Sequence, residues 1–117
     1  MEFTFQFIKL FFYGLELAAP LLISLVLLIM LLGQIVGARE SWHRFDSLYW
    51  AFITATTVGY GDMRPLARLS KSLAVLIALT GIIFTGIMVA VAINAATISF
   101  KSLHDIAELK TSMEAIE

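Results

Sequence analysis

Residues Thr54–Pro65 read TATTVGYGDMRP, and this stretch decides the fold. It packs glycines, threonines, a tyrosine and an aspartate into a chain that is otherwise very apolar. Charges divide the sequence around it. Leu17–Ala38 is an uncharged run of 22 residues and Ser72–Phe100 one of 29. As helices rising about 1.5 Å per residue, these reach about 33 and 44 Å, enough for a hydrocarbon core of about 30 Å. The middle run, Ser47–Gly61, has 15 residues and holds the opening stretch. It is too short to cross as a helix and return, which predicts a re-entrant segment.

Composition supports lipid as the solvent. Of 117 residues, 60% are apolar and 15% charged, with a mean hydropathy of +0.91. A soluble domain carries about a quarter charged residues. A net charge of −1 gives no reason to expect a nucleic-acid partner, and the absence of cysteine excludes disulfides and thiolate metal sites. The first apolar run is too long, and its basic flank too weak, for a cleavable signal peptide.

The expected plan is therefore all-α: an outer helix over 17–38, a pore helix over 47–56, an extended loop over 57–61 and an inner helix over 69–98. Irregular backbone at membrane depth needs protein or a wet cavity around it. Two spanning helices from one chain cannot supply that shelter, which predicts an oligomer with the loops gathered on its axis. Residues 1–16, rich in aromatics, are either an interfacial segment or the start of the outer helix. Residues 99–117 read as a charged helix, on which Ile106, Leu109, Met113 and Ile116 form a heptad-like seam. That seam suggests a short bundle, the alternative being a solvated amphipathic tail.

The chemistry of Thr57-Val58-Gly59-Tyr60-Gly61 is backbone chemistry. Glycine takes positive φ without steric cost. Alternating it with other residues lets successive carbonyls turn to one side of an extended chain. Several such chains around an axis make stacked oxygen cages able to replace the water shell of a monovalent cation, and the Thr57 hydroxyl adds a layer. Asp46 or Ser47 would cap the pore helix. The C-terminal end of that helix would present the negative end of its dipole to a cation. Tyr49, Trp50 and Phe52 would stand behind the loop as an aromatic collar.

A half-span helix ending in TTVGYGD between two spanning helices resembles the potassium channels of the two-transmembrane-helix bacterial type. TTVGYGDMRP is also similar to the pore of voltage-gated channels, and TVGYG is itself the potassium-filter string. The resemblance covers about Leu17–Ala96. It implies a homotetramer in membrane lipid, a pore domain over 17–98, passive potassium conduction and no enzymatic activity. It implies K+ held by the carbonyls of Thr57, Val58, Gly59 and Tyr60, with no other cofactor. Gly61, Asp62, Tyr49, Trp50 and Thr56 would support the filter, and Arg64 would stand at the outer mouth. In the inner helix, Gly81 matches a hinge position and Gly86 a packing position, although either glycine could serve only close packing. Ile82, Thr85 and Val89 would line a cavity, and Ile93 would sit at the inner constriction. Asn94 would line the vestibule or mark the helix exit. The tails would be cytoplasmic, in a bacterial or archaeal cell membrane.

Several residues depart from the family pattern. Ile53 stands where some two-helix bacterial channels carry a buried glutamate behind the filter, leaving Tyr49 as the partner expected for Asp62. Arg64 would ring the mouth with positive charge, or turn aside to Glu40 or Asp46. Five Lys and Arg lie between the spans and three in the tails, so the positive-inside rule alone would put the tails outside. No helix has the spaced arginines of a voltage sensor. His104 lies four residues before Glu108, and reads as a proton sensor or, more cheaply, as a solvated face. A poorly selective cation channel and a non-conducting subunit of a larger assembly are the competing functions.

Overall fold

The computed structural model describes residues 1–116; Glu117, the last residue of the expected C-terminal helix, lies outside them. It contains three helices: α1 (Glu2–Glu40), α2 (Arg44–Ala55) and α3 (Arg68–Ile116). There is no strand among the described residues. The re-entrant plan is reproduced, with shifted boundaries. Both long helices are apolar enough to cross a membrane. At about 1.5 Å per residue α1 reaches about 58 Å and α3 about 74 Å, so each exceeds the hydrocarbon thickness.

The differences at the outer ends of the two long helices have one cause. Loss of apolarity is not loss of helicity. The aromatic segment 1–16 is the beginning of α1, with Phe3, Phe7 and Phe11 stacked at one-turn intervals. The step from apolar to charged residues near Phe100 does not interrupt α3, because the residues that follow contain no glycine or proline and are largely good helix formers. The chain between α1 and α2 also turns more tightly than expected. Trp42 N–H donates to Gly37 O (2.9 Å) with Ser41 at φ 60°, a Schellman closure. α2 therefore starts at Arg44 with His43 as N-cap and no side-chain cap. Asp46 is not the cap but lies in the first turn, where its charge suits the positive helix end. Ser47 is not the cap either; its hydroxyl donates to His43 O (2.9 Å).

The chain divides into two compact units, Ala19–Ile87 and Met1–Ala18 with the stretch from Met88 onward. In the first, Ile29, Val36, Trp50, Ala51, Ala55 and Ile77 form the buried cluster. Glycines bring the helices together. A Cβ on Gly33 would lie 2.5 Å from Ala51 Cβ, and one on Gly37 would overlap the Ser47 hydroxyl. This is small-residue packing at four-residue spacing on both helices, Gly33/Gly37 against Ser47/Ala51. Ala55 continues the stripe and meets Gly81 of α3, whose added Cβ would strike the Ala55 carbonyl. In the second unit, Phe3 stacks on Phe100 with centroids 4.5 Å apart, and a Cβ on Gly14 would press on Val91 Cγ1 at 2.7 Å.

Candidate functional site

α2 delivers the 57–61 loop. Its last turn closes with Thr56 N–H on Phe52 O (2.9 Å) and Thr57 N–H on Thr54 O (3.2 Å). Gly59 N–H then reaches back to Ile53 O (3.0 Å), which ties the loop to the helix that precedes it. The Thr56 hydroxyl donates to Phe52 O (2.7 Å), so it braces the helix end.

Positive φ occurs at Thr57 (66°), Gly59 (54°) and Gly61 (80°). The alternation is strict, every second residue, which is the backbone condition under which successive carbonyls turn to one side. Two of the three positions are the glycines singled out in the sequence. The third, Thr57, is a β-branched residue in a region that costs such side chains free energy. Sequence reasoning missed it, because nothing in a threonine announces left-handed backbone. Thr57, Val58, Gly59, Tyr60, Gly61 and Asp62 are all exposed in the single chain. No three His, Cys, Asp or Glu among the described residues come together as a metal site. The oxygens in the loop are main-chain carbonyls, the Thr57 and Tyr60 hydroxyls and the Asp62 carboxylate.

The supporting residues separate into two roles. Trp50 is buried and meets Trp42 edge-on, with centroids 5.3 Å apart, so it anchors α2 in its own chain. Tyr49 lies within Coulombic reach of Asp62. Arg64 turns to neither Glu40 nor Asp46; its Nε–H donates to Gly61 O at 3.3 Å. Glu40 is engaged elsewhere. Its Oε1 accepts from the N–H groups of Leu66 (2.8 Å) and Ala67 (3.0 Å), pinning the loop that leads into α3. These hydrogen bonds, first Ala67 and then Leu66, hold the Glu40 carboxyl below its ordinary value. Sequence gave no sign of this strap, since 26 residues separate its ends.

On α3, Ile82, Thr85, Val89 and Ile93 follow one another at intervals of three or four, which places them on one helix face. All four are exposed in the single chain, as is Asn94. Gly81 is buried against the Ala55 backbone, a close contact that an added Cβ would not fit. Gly86, expected at a packing contact, has nothing within 4 Å of an added Cβ in the chain by itself.

Comparison with known proteins fits this geometry. A family model described as "Ion channel" matches residues 21–97, a range that holds the whole of α2, the 57–61 loop and the apolar part of both long helices. A voltage-gated potassium channel of Aeropyrum pernix is 53% identical over 38 residues, 32% of this chain and 13% of that protein. Two pore potassium channel b of Oryza sativa is 34% identical over 73 residues, 62% of this chain and 21% of that protein. A putative potassium channel protein of Bacillus subtilis is 34% identical over 65 residues, 53% of this chain and 20% of that protein. The chain thus spans about a fifth or less of the length of these relatives. No solved structure matches it. The matched range takes in both candidate spans and the half-length helix between them, and the protein is an integral membrane member of this ion-channel family.

Proposed function

We propose that the protein is a potassium-selective channel in which four copies surround one pore. The observation that carries this reading is the Thr57–Gly61 string with positive φ at every second residue. Carbonyls of Thr57, Val58, Gly59 and Tyr60, with the Thr57 hydroxyl, would replace the water around K+, and no other cofactor is needed. Gly61 and Asp62 would close the outer end. Val58 and Tyr60 are 50% and 71% exposed in one chain, apolar surface that neighbouring subunits would cover. Ile82, Thr85 and Val89 would line the cavity, and Ile93 would form an aliphatic ring able to gate by dewetting. The tails are assigned to the cytoplasm of a bacterial or archaeal cell.

The test is potassium flux through purified protein in liposomes, with sodium in parallel and barium as blocker. Barium-sensitive K+ flux with little Na+ flux is expected. Equal Na+ flux would replace this reading with a poorly selective cation channel. Intact tetramers that carry neither ion, even with α3 truncated before the constriction, would leave a non-conducting subunit.

A further inference from the structure

We propose that Arg64 is a cationic cover on the outermost carbonyl of the filter loop, and that it sets how readily a monovalent cation enters from the Gly61 end. This rests on the channel reading above. The guanidinium donates from Nε to Gly61 O at 3.3 Å, and the side chain is otherwise exposed. The carboxylate that would have drawn it sideways, Glu40, already accepts two backbone N–H bonds. Among the described residues Arg64 forms no ion pair. Its charge therefore rests on the outermost carbonyl of the loop rather than on a carboxylate of the scaffold.

Gly61 O follows directly on the four carbonyls assigned to K+. An oxygen that already accepts from a guanidinium has less to offer a metal ion, and the unit charge beside it repels the ion as well. Like charges a few ångströms apart repel measurably even in water. The oxygen column is then effective from Tyr60 inward, and its outer end is guarded. Asp62 is the opposing charge nearby, and it has no pairing with Arg64 to neutralise it.

The test uses the full chain in liposomes, with K+ varied on the Gly61 side and barium-sensitive flux recorded. At low ionic strength Arg64→Gln and Arg64→Leu are expected to lower the half-saturating K+ concentration about 3- to 10-fold. Arg64→Lys keeps the charge and should stay near wild type. K+ applied from the opposite side should show no change in any variant. The wild type supplies a check that needs no substitution. Choline chloride raised from about 0.01 to 1 M shortens the Debye length from about 30 to 3 Å and should lower the half-saturating concentration on the Gly61 side alone. Unchanged half-saturation in Arg64→Gln and Arg64→Leu, with K+ selectivity retained, overturns the inference and leaves the channel reading intact. A wild type unaffected by choline chloride overturns it too. Absence of K+ selectivity in the wild type removes the channel reading and this inference with it.

Discussion

Thr57 shows what one residue costs and contributes. At φ 66° a β-branched side chain sits where glycine would be unstrained. Thr57→Gly should relieve about 1 kcal/mol of backbone strain. It also removes the hydroxyl assigned to the innermost ion layer. The expected result is a protein that melts slightly higher in K+-free detergent but discriminates K+ from Na+ less well. A lower melting temperature would mean that the hydroxyl or methyl makes contacts that outweigh the strain. Glu40 gives a residue-scale pH dependence. Its carboxyl is held below the ordinary glutamate value by the Ala67 and Leu66 N–H groups. A lowered pKa contributes stability above the unfolded-state value, and that stability is lost as pH falls through the folded-state value. Wild type should therefore lose stability between about pH 6 and pH 3 more steeply than Glu40→Gln, which keeps an acceptor oxygen but cannot titrate. Parallel melting curves for the two proteins would show that the strap contributes nothing through charge.

At the scale of elements, the existence of the helices was legible because long uncharged runs have few other uses. Their ends were not, because polarity changes at Glu16 and Lys101 while helix propensity does not. The Gly33/Gly37 stripe and its partner, Ser47/Ala51, emerged only from the contacts between α1 and α2. Glycine substitutions follow from the contacts. Gly81→Ala would force a methyl onto the Ala55 backbone and should cost about 1–3 kcal/mol of stability. Gly86→Ala meets open space in the single chain and should be neutral, or stabilising by up to about 1 kcal/mol. Equal losses in the two variants, read by thermal melting of the assembled protein, would mean that a neighbouring subunit packs against Gly86. The continuous α3 also bears on the C-terminal seam. Leu109 lies 18 residues, five whole turns, beyond Val91, which packs on Gly14 of α1. Counted at about 100° per residue, Ile106, Leu109, Met113 and Ile116 all lie about 140–160° around the helix from Ile93. A straight helix cannot turn both Ile93 and that seam to one axis, and the drift of about 20° per heptad is too small to reconcile them. A bundle about the pore axis would have to use Ala107 and Thr111 instead. Single cysteines at those positions should cross-link between chains, and cysteines at Leu109 or Met113 should not.

For the whole molecule, orientation is the property on which two physical arguments disagree. Arg39, Arg44, Arg64, Arg68 and Lys71 lie on the loop side, against Lys9, Lys101 and Lys110 in the tails. Counting cations places the loop side inside. The direction of the proposed filter would put it outside. The Arg64 contact is a reason to discount part of that count. The Arg64 guanidinium donates to the Gly61 carbonyl, so on the proposed channel reading this cation serves the loop. A charge retained for the pore is a poor guide to how the chain was inserted. We therefore expect the tails in the cytoplasm, and the chain is well suited to show it because it contains no cysteine. His43→Cys and Ser112→Cys each place one thiol on an exposed residue, the first beside the N-cap end of α2 and the second in the last turns of α3. In right-side-out vesicles an impermeant maleimide should label His43→Cys at once and Ser112→Cys only after lysis. The reverse pattern would make charge the controlling determinant. It would also turn the Gly61 end and Arg64 toward the cytoplasm, so that the guarded entry becomes the inner one.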